Sequence, residues 1–517
     1  MHFNQDLLHN IFAFAVDAGT PSALLNVCLV CKEWNNVASK FYWRHVGLGT
    51  HDGELAHIEW LIAHLAADHH ASCFYPTNAY NVKELSLYMD EMDWDDDERS
   101  LYASRLQELC GLLPGVRTLN LNLEDEDFRA QEKHLSMFTE ELLARLPGLR
   151  SLHFTAEGLD ILDPDDEYDV ACDVSIKATL SRMLERVKLD TFGASMICPQ
   201  SDWFPLETLF SAQSTLRELD LGFAFTKNAT FILGALAKSG FTRLERLGLQ
   251  VDAAYPANDA WAMVVPETFK AQILQATADF VRVCTNLQHF TLDVFSYPDG
   301  WEVDFWTFLQ HFGKLPRLKS FSVDGGFFED HVSPPEGYKV AFPFVEHFRF
   351  RSSTKVTVLN DTLASWHWPS LQTMEIPKGA WTPVSLKNLL EHAQQLQALE
   401  FSTDKELSLL QASTGVYPRV KKMRVRFMSS EIKLETVQED IVFPILRIQF
   451  PNASIHIAVP DECNLYYGKW ATMDGRYFEK GHEDSEGSDD DNSDDGGWAT
   501  TSDEEEDDYV DSSTDSE

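Results

Sequence analysis

The chain has 517 residues, with 82 Asp and Glu against 42 Lys and Arg, a formal net charge of −40, and 12% aromatic residues within a hydrophobic fraction of 44%. That composition excludes a fully disordered chain, and the charge disfavours sequence-independent binding of nucleic acid backbones. No stretch approaches the ~18 uninterrupted apolar residues of a membrane helix, no Lys or Arg precedes Lys32, and the eight cysteines are too sparse for a disulfide scaffold, so a reduced protein of the cytoplasm or nucleus, away from membranes, is expected.

Residues 1–48 read as a short helical module. Leu7, Leu8, Ile11 and Phe12 form one apolar stripe, and Leu24, Val27, Cys31 and Trp34 form another. Gly19-Thr20-Pro21-Ser22 breaks the two, with Ser22 placed to cap the second helix. About 45 residues make a small core, which usually needs a partner to cover its apolar faces. The string Phe3-Asn4-Gln5-Asp6-Leu7-Leu8, Ile11-Phe12, a Leu-rich stretch from Leu24, Val30-Cys31-Lys32-Glu33-Trp34 and a closing Trp43 resembles an F-box. Asn4 stands where that family has Pro. The resemblance implies docking to a Skp-type adaptor through Phe3, Asn4, Leu7, Leu8, Ile11, Phe12, Leu24, Val30, Cys31, Trp34 and Trp43. A bundle that only caps the chain behind it is the plainer alternative.

Residues 49–81 read as a helical linker or cap, with Leu55, Ile58, Leu61, Ile62 and Leu65 on one face of a helix over 54–67. His57 and His64 share a helix face, but no acidic or Cys ligand has matching spacing, and Cys28-x-x-Cys31 lacks a second pair, so no metal site and no cofactor is expected. The acidic segments 90–98 and 163–169 read as solvated loops.

From residue 82 to 460 the pattern apolar-x-x-apolar-x-apolar recurs, starting at 82, 116, 149, 184, 216, 244, 287, 318, 345, 371, 396 and 420, with a weaker thirteenth at Ala453-Ile455-Ile457. The alternating residues are short half-buried strands. Helix-periodic segments at 132–146, 228–238, 267–283, 303–312 and 386–396 lie between them, so each unit has apolar faces that only its neighbours can cover. The cores resemble leucine-rich repeats. The Asn or Cys expected at the eighth position is replaced, by Asp90, Glu124, Phe192 or Gly326 for example, so irregular units are expected. The overall expectation is an α/β chain: the helical module, an αβ solenoid of 12–13 irregular units over 82–460, a C-terminal cap over 461–480, and a disordered acidic tail over 481–517.

If the apolar strand residues point inward, the residues between them line the opposite face. There Arg186 and Lys188, His347, Arg349 and Arg351, and Lys422, Arg424 and Arg426 form basic rows that suggest an acidic or phosphorylated protein ligand. Cross-strand pairing with Glu375 and Glu400 is the alternative. The tail has 17 acids and no Lys or Arg after Lys480, and its Ser and Thr precede acids as in acidophilic-kinase sites.

No Gly-rich phosphate loop and no nucleophile–base motif is present, so no catalytic residue is expected. The two resemblances together point to an F-box/leucine-rich-repeat protein of the fungal type. They imply the substrate-recognition subunit of an SCF-type, cullin–RING ubiquitin ligase, binding a protein substrate. A repeat scaffold whose N-terminal bundle takes another partner is the alternative.

Overall fold

The computed structural model describes Phe12 and residues 32–49, 54–71, 78–89, 96–123, 140–156, 177–185, 187–197, 204–212, 214–223, 226–252, 267–295, 305–325, 342–351, 362–378, 383–403, 415–427, 442–461, 464–472 and 477–479. Sixteen strands follow one another in a single sheet in chain order. They are β1 His45–Leu48, β2 Glu84–Met89, β3 Thr118–Leu123, β4 Ser151–Ala156, β5 Thr191–Ile197, β6 Glu218–Phe223, β7 Arg246–Asp252 and β8 His289–Phe295, then β9 Ser320–Gly325, β10 His347–Arg351, β11 Thr373–Lys378, β12 Ala398–Thr403, β13 Lys422–Phe427, β14 Ser454–Asp461, β15 Asn464–Thr472 and β16 Tyr477–Glu479. The first fourteen run parallel; β15 and β16 turn back antiparallel on β14 and finish the sheet where a cap was expected.

Parallel neighbours need a crossover, and the helices between strands supply it. The helix Glu267–Val283 coincides with the periodicity of its sequence, and helices Thr226–Ser239, Phe305–Gly313 and Pro383–His392 lie within a few residues of theirs. Leu85, Leu119, Leu152, Phe192, Leu219, Leu247, Phe290, Phe321, Phe348, Met374, Leu399 and Met423 stack as one buried row. The row two residues on is buried as well, and the helices pack over both in one continuous core. The chain is therefore an αβ solenoid in which each unit is covered by the next.

The strand before each strand holds its start. The carbonyl of Arg44 accepts from the amides of Lys83 and Glu84, that of Lys83 from Arg117 and Thr118, and that of Arg117 from Arg150 and Ser151; the ladder continues to Lys421 and Ser454. Glycine permits this stacking at two turns. A Cβ on Gly115 would stand 2.6 Å from the Tyr80 carbonyl oxygen, and one on Gly148 would stand 2.8 Å from that of Val116.

Core chemistry changes along the sheet. Units β2–β4 are built on leucine, while β8–β11 carry an aromatic stack. In it Phe290 and Phe312 lie 4.4 Å apart, Phe312 and Phe321 4.9 Å, Phe321 and Phe348 5.3 Å, and Phe348 and Trp368 5.2 Å. The Trp368 indole donates to the Leu363 carbonyl at 2.9 Å, which meets the hydrogen-bond need of a buried ring nitrogen.

Two boundaries differ from the sequence reading. The sheet begins at β1, inside the segment assigned to the N-terminal module, and Trp43 is buried in the solenoid core. Trp43-x-x-Val46-x-Leu48 is the repeat pattern itself, so Trp43 belongs to the solenoid core. The fourth strand of the repeat region is β5, not 187–189. Leu184 belongs to the helical stretch 177–185, and the strand core is Leu189-Phe192-Ala194, five residues later. Overlapping Leu and Val spacings made both frames legible, and the helix claimed the first.

Candidate functional site

On the polar face of the sheet one residue per strand forms a central row: Ser86, Asn120, His153, Gly193, Asp220, Gly248, Thr291, Ser322, Arg349, Glu375, Glu400, Arg424 and His456. Adjacent rungs are ~4.8 Å apart, close enough for side chains to bond across strands. At the N-terminal end the row is a hydrogen-bonded polar network. The Asn120 amide donates to Ser86 Oγ at 2.9 Å and to Glu84 Oε1 at 2.8 Å, and Ser86 Oγ also meets His45 Nε2 at 2.9 Å. Next, the His153 ring leans over bare Gly193 and the Asp220 carboxylate over bare Gly248, each within 2.5 Å of where a Cβ would be. Burial lowers the His153 pKa, with the charges of Asp220, Glu84 and Glu218 opposing; burial raises that of Asp220, with His153 opposing.

The C-terminal half carries the charges. A recess of about 590 Å³ runs over β8–β13, lined among others by Asp293, Asp324, His347, Arg349, Glu375, Glu400, Lys422 and Arg424. Arg349 Nη2 lies 3.2 Å from Asp324 Oδ2 and its Nε 3.6 Å from Glu375 Oε2, while Arg424 Nη1 donates to Glu400 Oε2 at 3.4 Å. Four carboxylates face three cations in this recess. The structure thus brings together His347, Arg349, Lys422 and Arg424 but resolves the expected basic rows into cross-strand pairs. Asp324 and Asp293, which sequence reasoning missed, complete the compensation. Asp324 sits six residues after Leu318, an outward position in its unit, so the signal was present. Arg351 and Arg426 occupy strand positions two past Arg349 and Arg424, and their side chains lie outside the described residues. Lys188 precedes β5 and its carbonyl accepts from Arg150, so it is not on this face; Arg186 lies outside the described residues. The frame shift in unit four accounts for the place of Lys188.

In the N-terminal module, Phe12, Val37 and Ala38 form a buried cluster separate from the main core. Trp34 and Phe41 pack on it, with ring centroids 5.8 and 6.5 Å from that of Phe12, and Tyr42 touches both cores. Phe3, Asn4, Leu7, Leu8, Ile11, Leu24, Val30 and Cys31 lie outside the described residues, as does Cys28. Of the two histidines weighed as ligands, His64 stacks on Trp43 at 5.3 Å and on Trp60 at 5.2 Å, and His57 tilts toward Trp60 at 6.2 Å. Among the described residues no three His, Cys, Asp or Glu converge on one point, and no helix is long and apolar enough to cross a membrane. Cys110 and Cys284 are buried free thiols whose pKa is pushed up to about 12 by burial. They are therefore not poised as nucleophiles.

No family model matches the chain, and no curated protein matches it. Among solved structures, a chain of the yeast Rad7 and Elc1 complex is similar at 13% identity, over 90% of this chain and 94% of that one, with a TM-score of 0.37. A chain of the TLR13–ssRNA13 complex is similar at 11% identity, over 74% of this chain and 54% of that one, with a TM-score of 0.31. Both likenesses are distant, and the repeat architecture rests on the strand register.

Proposed function

We propose that this chain is a substrate-recognition subunit of an SCF-type ubiquitin ligase. The N-terminal module docks a Skp-type adaptor, and hence a cullin–RING assembly, while the polar face of the solenoid holds a protein substrate. The observation that carries the reading is the separate cluster of Phe12, Val37 and Ala38 beside the first strand. A module of about 45 residues makes a small core, which usually needs a partner to cover its apolar faces. The F-box-like residues before it, Leu7, Leu8 and Ile11, supply a further apolar stripe for a partner.

The recess over β8–β13 supports a substrate segment of mixed charge. A polyanion would meet four carboxylates as well as three cations, and Arg349 and Arg424 are already engaged. No residue of this chain performs catalysis in this reading. Its contribution is to hold the acceptor lysine of a substrate near a charged conjugating enzyme, converting an encounter into a local event.

The test is capture of the full chain by a purified Skp-type adaptor, comparing wild type with Leu8→Asp. A loss of at least about tenfold with an unchanged thermal melt supports the reading, since a buried carboxylate desolvated in an apolar interface costs well over 1.4 kcal/mol. Equal capture of the two chains overturns it.

A further inference from the structure

The edge of the sheet where the strands begin carries one residue per unit immediately before the strand. In order these are Arg44, Lys83, Arg117, Arg150, Asp190, Arg217, Glu245, Gln288, Lys319, Glu346, Gln372, Gln397 and Lys421, joined rung to rung by the amide-to-carbonyl ladder. From Arg217 onward no two cations are adjacent: Arg217 pairs with Glu245 at 3.1 Å, Gln372 donates to Glu346 at 3.4 Å, and Lys421 donates to Gln397 at 3.2 Å. The first four rungs are all cations. Arg44, Arg117 and Arg150 are exposed, and among the described residues none of the four forms an ion pair with a carboxylate. The amine of Lys83 has its pKa lowered, by burial and then by the neighbouring charge of Arg117. Four successive cations, with no carboxylate ion pair among the described residues and Asp190 on the rung beyond, span ~14 Å at ~4.8 Å spacing.

In a chain of net charge −40 such a row is a binding surface for carboxylates. We propose that its occupant is the chain's own acid run, residues 503–508, six consecutive Asp and Glu in the C-terminal tail. Six extended residues span ~20 Å, enough to lie along the four rungs. The tether reaches. Twenty-three residues lie between Glu479 and Asp503, a contour of ~80 Å, against ~58 Å for the twelve strand spacings from β16 back to β4. The tether is itself acidic, and self-repulsion keeps such linkers extended. The rest of the body carries an excess of acids, so four successive cations are a favourable place for the tail. Thr501 and Ser502 abut the acid run, so phosphorylation there tightens the contact.

This inference does not depend on the ligase reading. It is tested on the full chain with a carbodiimide, which couples a lysine amine directly to a carboxylate it touches. In the monomeric fraction at low salt, Lys83 should crosslink to residues 503–508 at least about fivefold more than Lys319 or Lys421 of the same edge. The product should fall away toward 0.5 M salt, where the screening length drops to a few ångströms. Arg44→Glu with Arg117→Glu and Arg150→Glu should abolish it. The corresponding Gln variants, which remove charge without adding repulsion, should reduce it if the Glu chain fails to fold. Equal crosslinking of Lys83, Lys319 and Lys421, or a yield indifferent to salt, overturns the proposal. So do crosslinks confined to dimers, which assign the edge to the tail of a second copy. The absence of any tail crosslink while an added phosphoserine peptide couples to Lys83 assigns it to a partner, and also overturns the proposal.

Discussion

The two ends of this sheet both carry rows of cations, on the strands at one end and just before them at the other, and give them opposite availability. In β9–β13 Arg349 and Arg424 face Asp324, Glu375 and Glu400 one rung away and are consumed by pairing. At the starts of β1–β4 the cations Arg44, Lys83, Arg117 and Arg150 follow one another, and the first carboxylate of the row is Asp190 on the fifth rung. A residue's role here is set less by its type than by what the next unit, some 25 to 40 positions along the chain, puts beside it. The cores differ in parallel: leucine under β2–β4, interlocked aromatics under β8–β11.

The largest effects are expected where that core contrast is broken. Phe321→Ala removes a ring in contact with Phe290, Phe312, Phe342 and Phe348, and should cost about 3–5 kcal/mol in a urea titration. Trp43→Ala should cost a similar amount while leaving adaptor capture per folded molecule unchanged, because the indole lies in the solenoid core; a capture defect without destabilisation would return Trp43 to the adaptor face.

Glycine separates tight from open stacking. Gly148→Ala sets a Cβ against the Val116 carbonyl, a backbone atom that cannot swing away, and should destabilise by about 1–3 kcal/mol. Gly234→Ala, inside helix Thr226–Ser239 with nothing within 4 Å, should instead stabilise by about 0.5–1 kcal/mol; thermal melts of the pair decide it.

The pH dependence sharpens the contrast on the polar face. The His153 pKa is lowered by burial, so the unfolded chain takes up a proton that the folded chain refuses. The stability associated with this ring is present above its ordinary value of 6.5 and is lost as pH falls below it toward the lowered folded value. His153→Gln should flatten the decline in melting temperature between about pH 7 and pH 5. A slope identical to wild type would remove His153 from the account. The smallest effect is expected from the charges themselves. Arg424→Ala should cost about 0.2–1 kcal/mol by removing a half-exposed pair with Glu400, and Arg117→Ala nothing or a slight gain, since it relieves like-charge repulsion on Lys83.

Much of the architecture was legible because each unit repeats one local rule. Leu85 and Leu87, or Phe348 and Phe350, alternate with polar residues wherever a strand has one buried face, and eleven of the twelve expected strand cores fall in the observed register. The failure at unit four came from two overlapping frames, Leu184-Val187-Leu189 and Leu189-Phe192-Ala194. Local pattern cannot choose between them, because the choice is made by which residues the neighbouring units cover. The same limit hid β1, whose four residues were read with the helices before it. It also left the pairing of the basic rows open, because Asp324 and Arg349 are 25 residues apart in sequence and 3.2 Å apart in space.

The sequence by itself determined the repeat, the direction of its apolar face, several of the helices that lie between strands and the segregation of acids into the tail, since all of these follow from spacing within a few residues. Only the tertiary structure decided which charges cancel and which remain. Cancellation depends on distances of a few ångströms between residues on different units, and those distances exist only once the parallel register has stacked one strand beside the next.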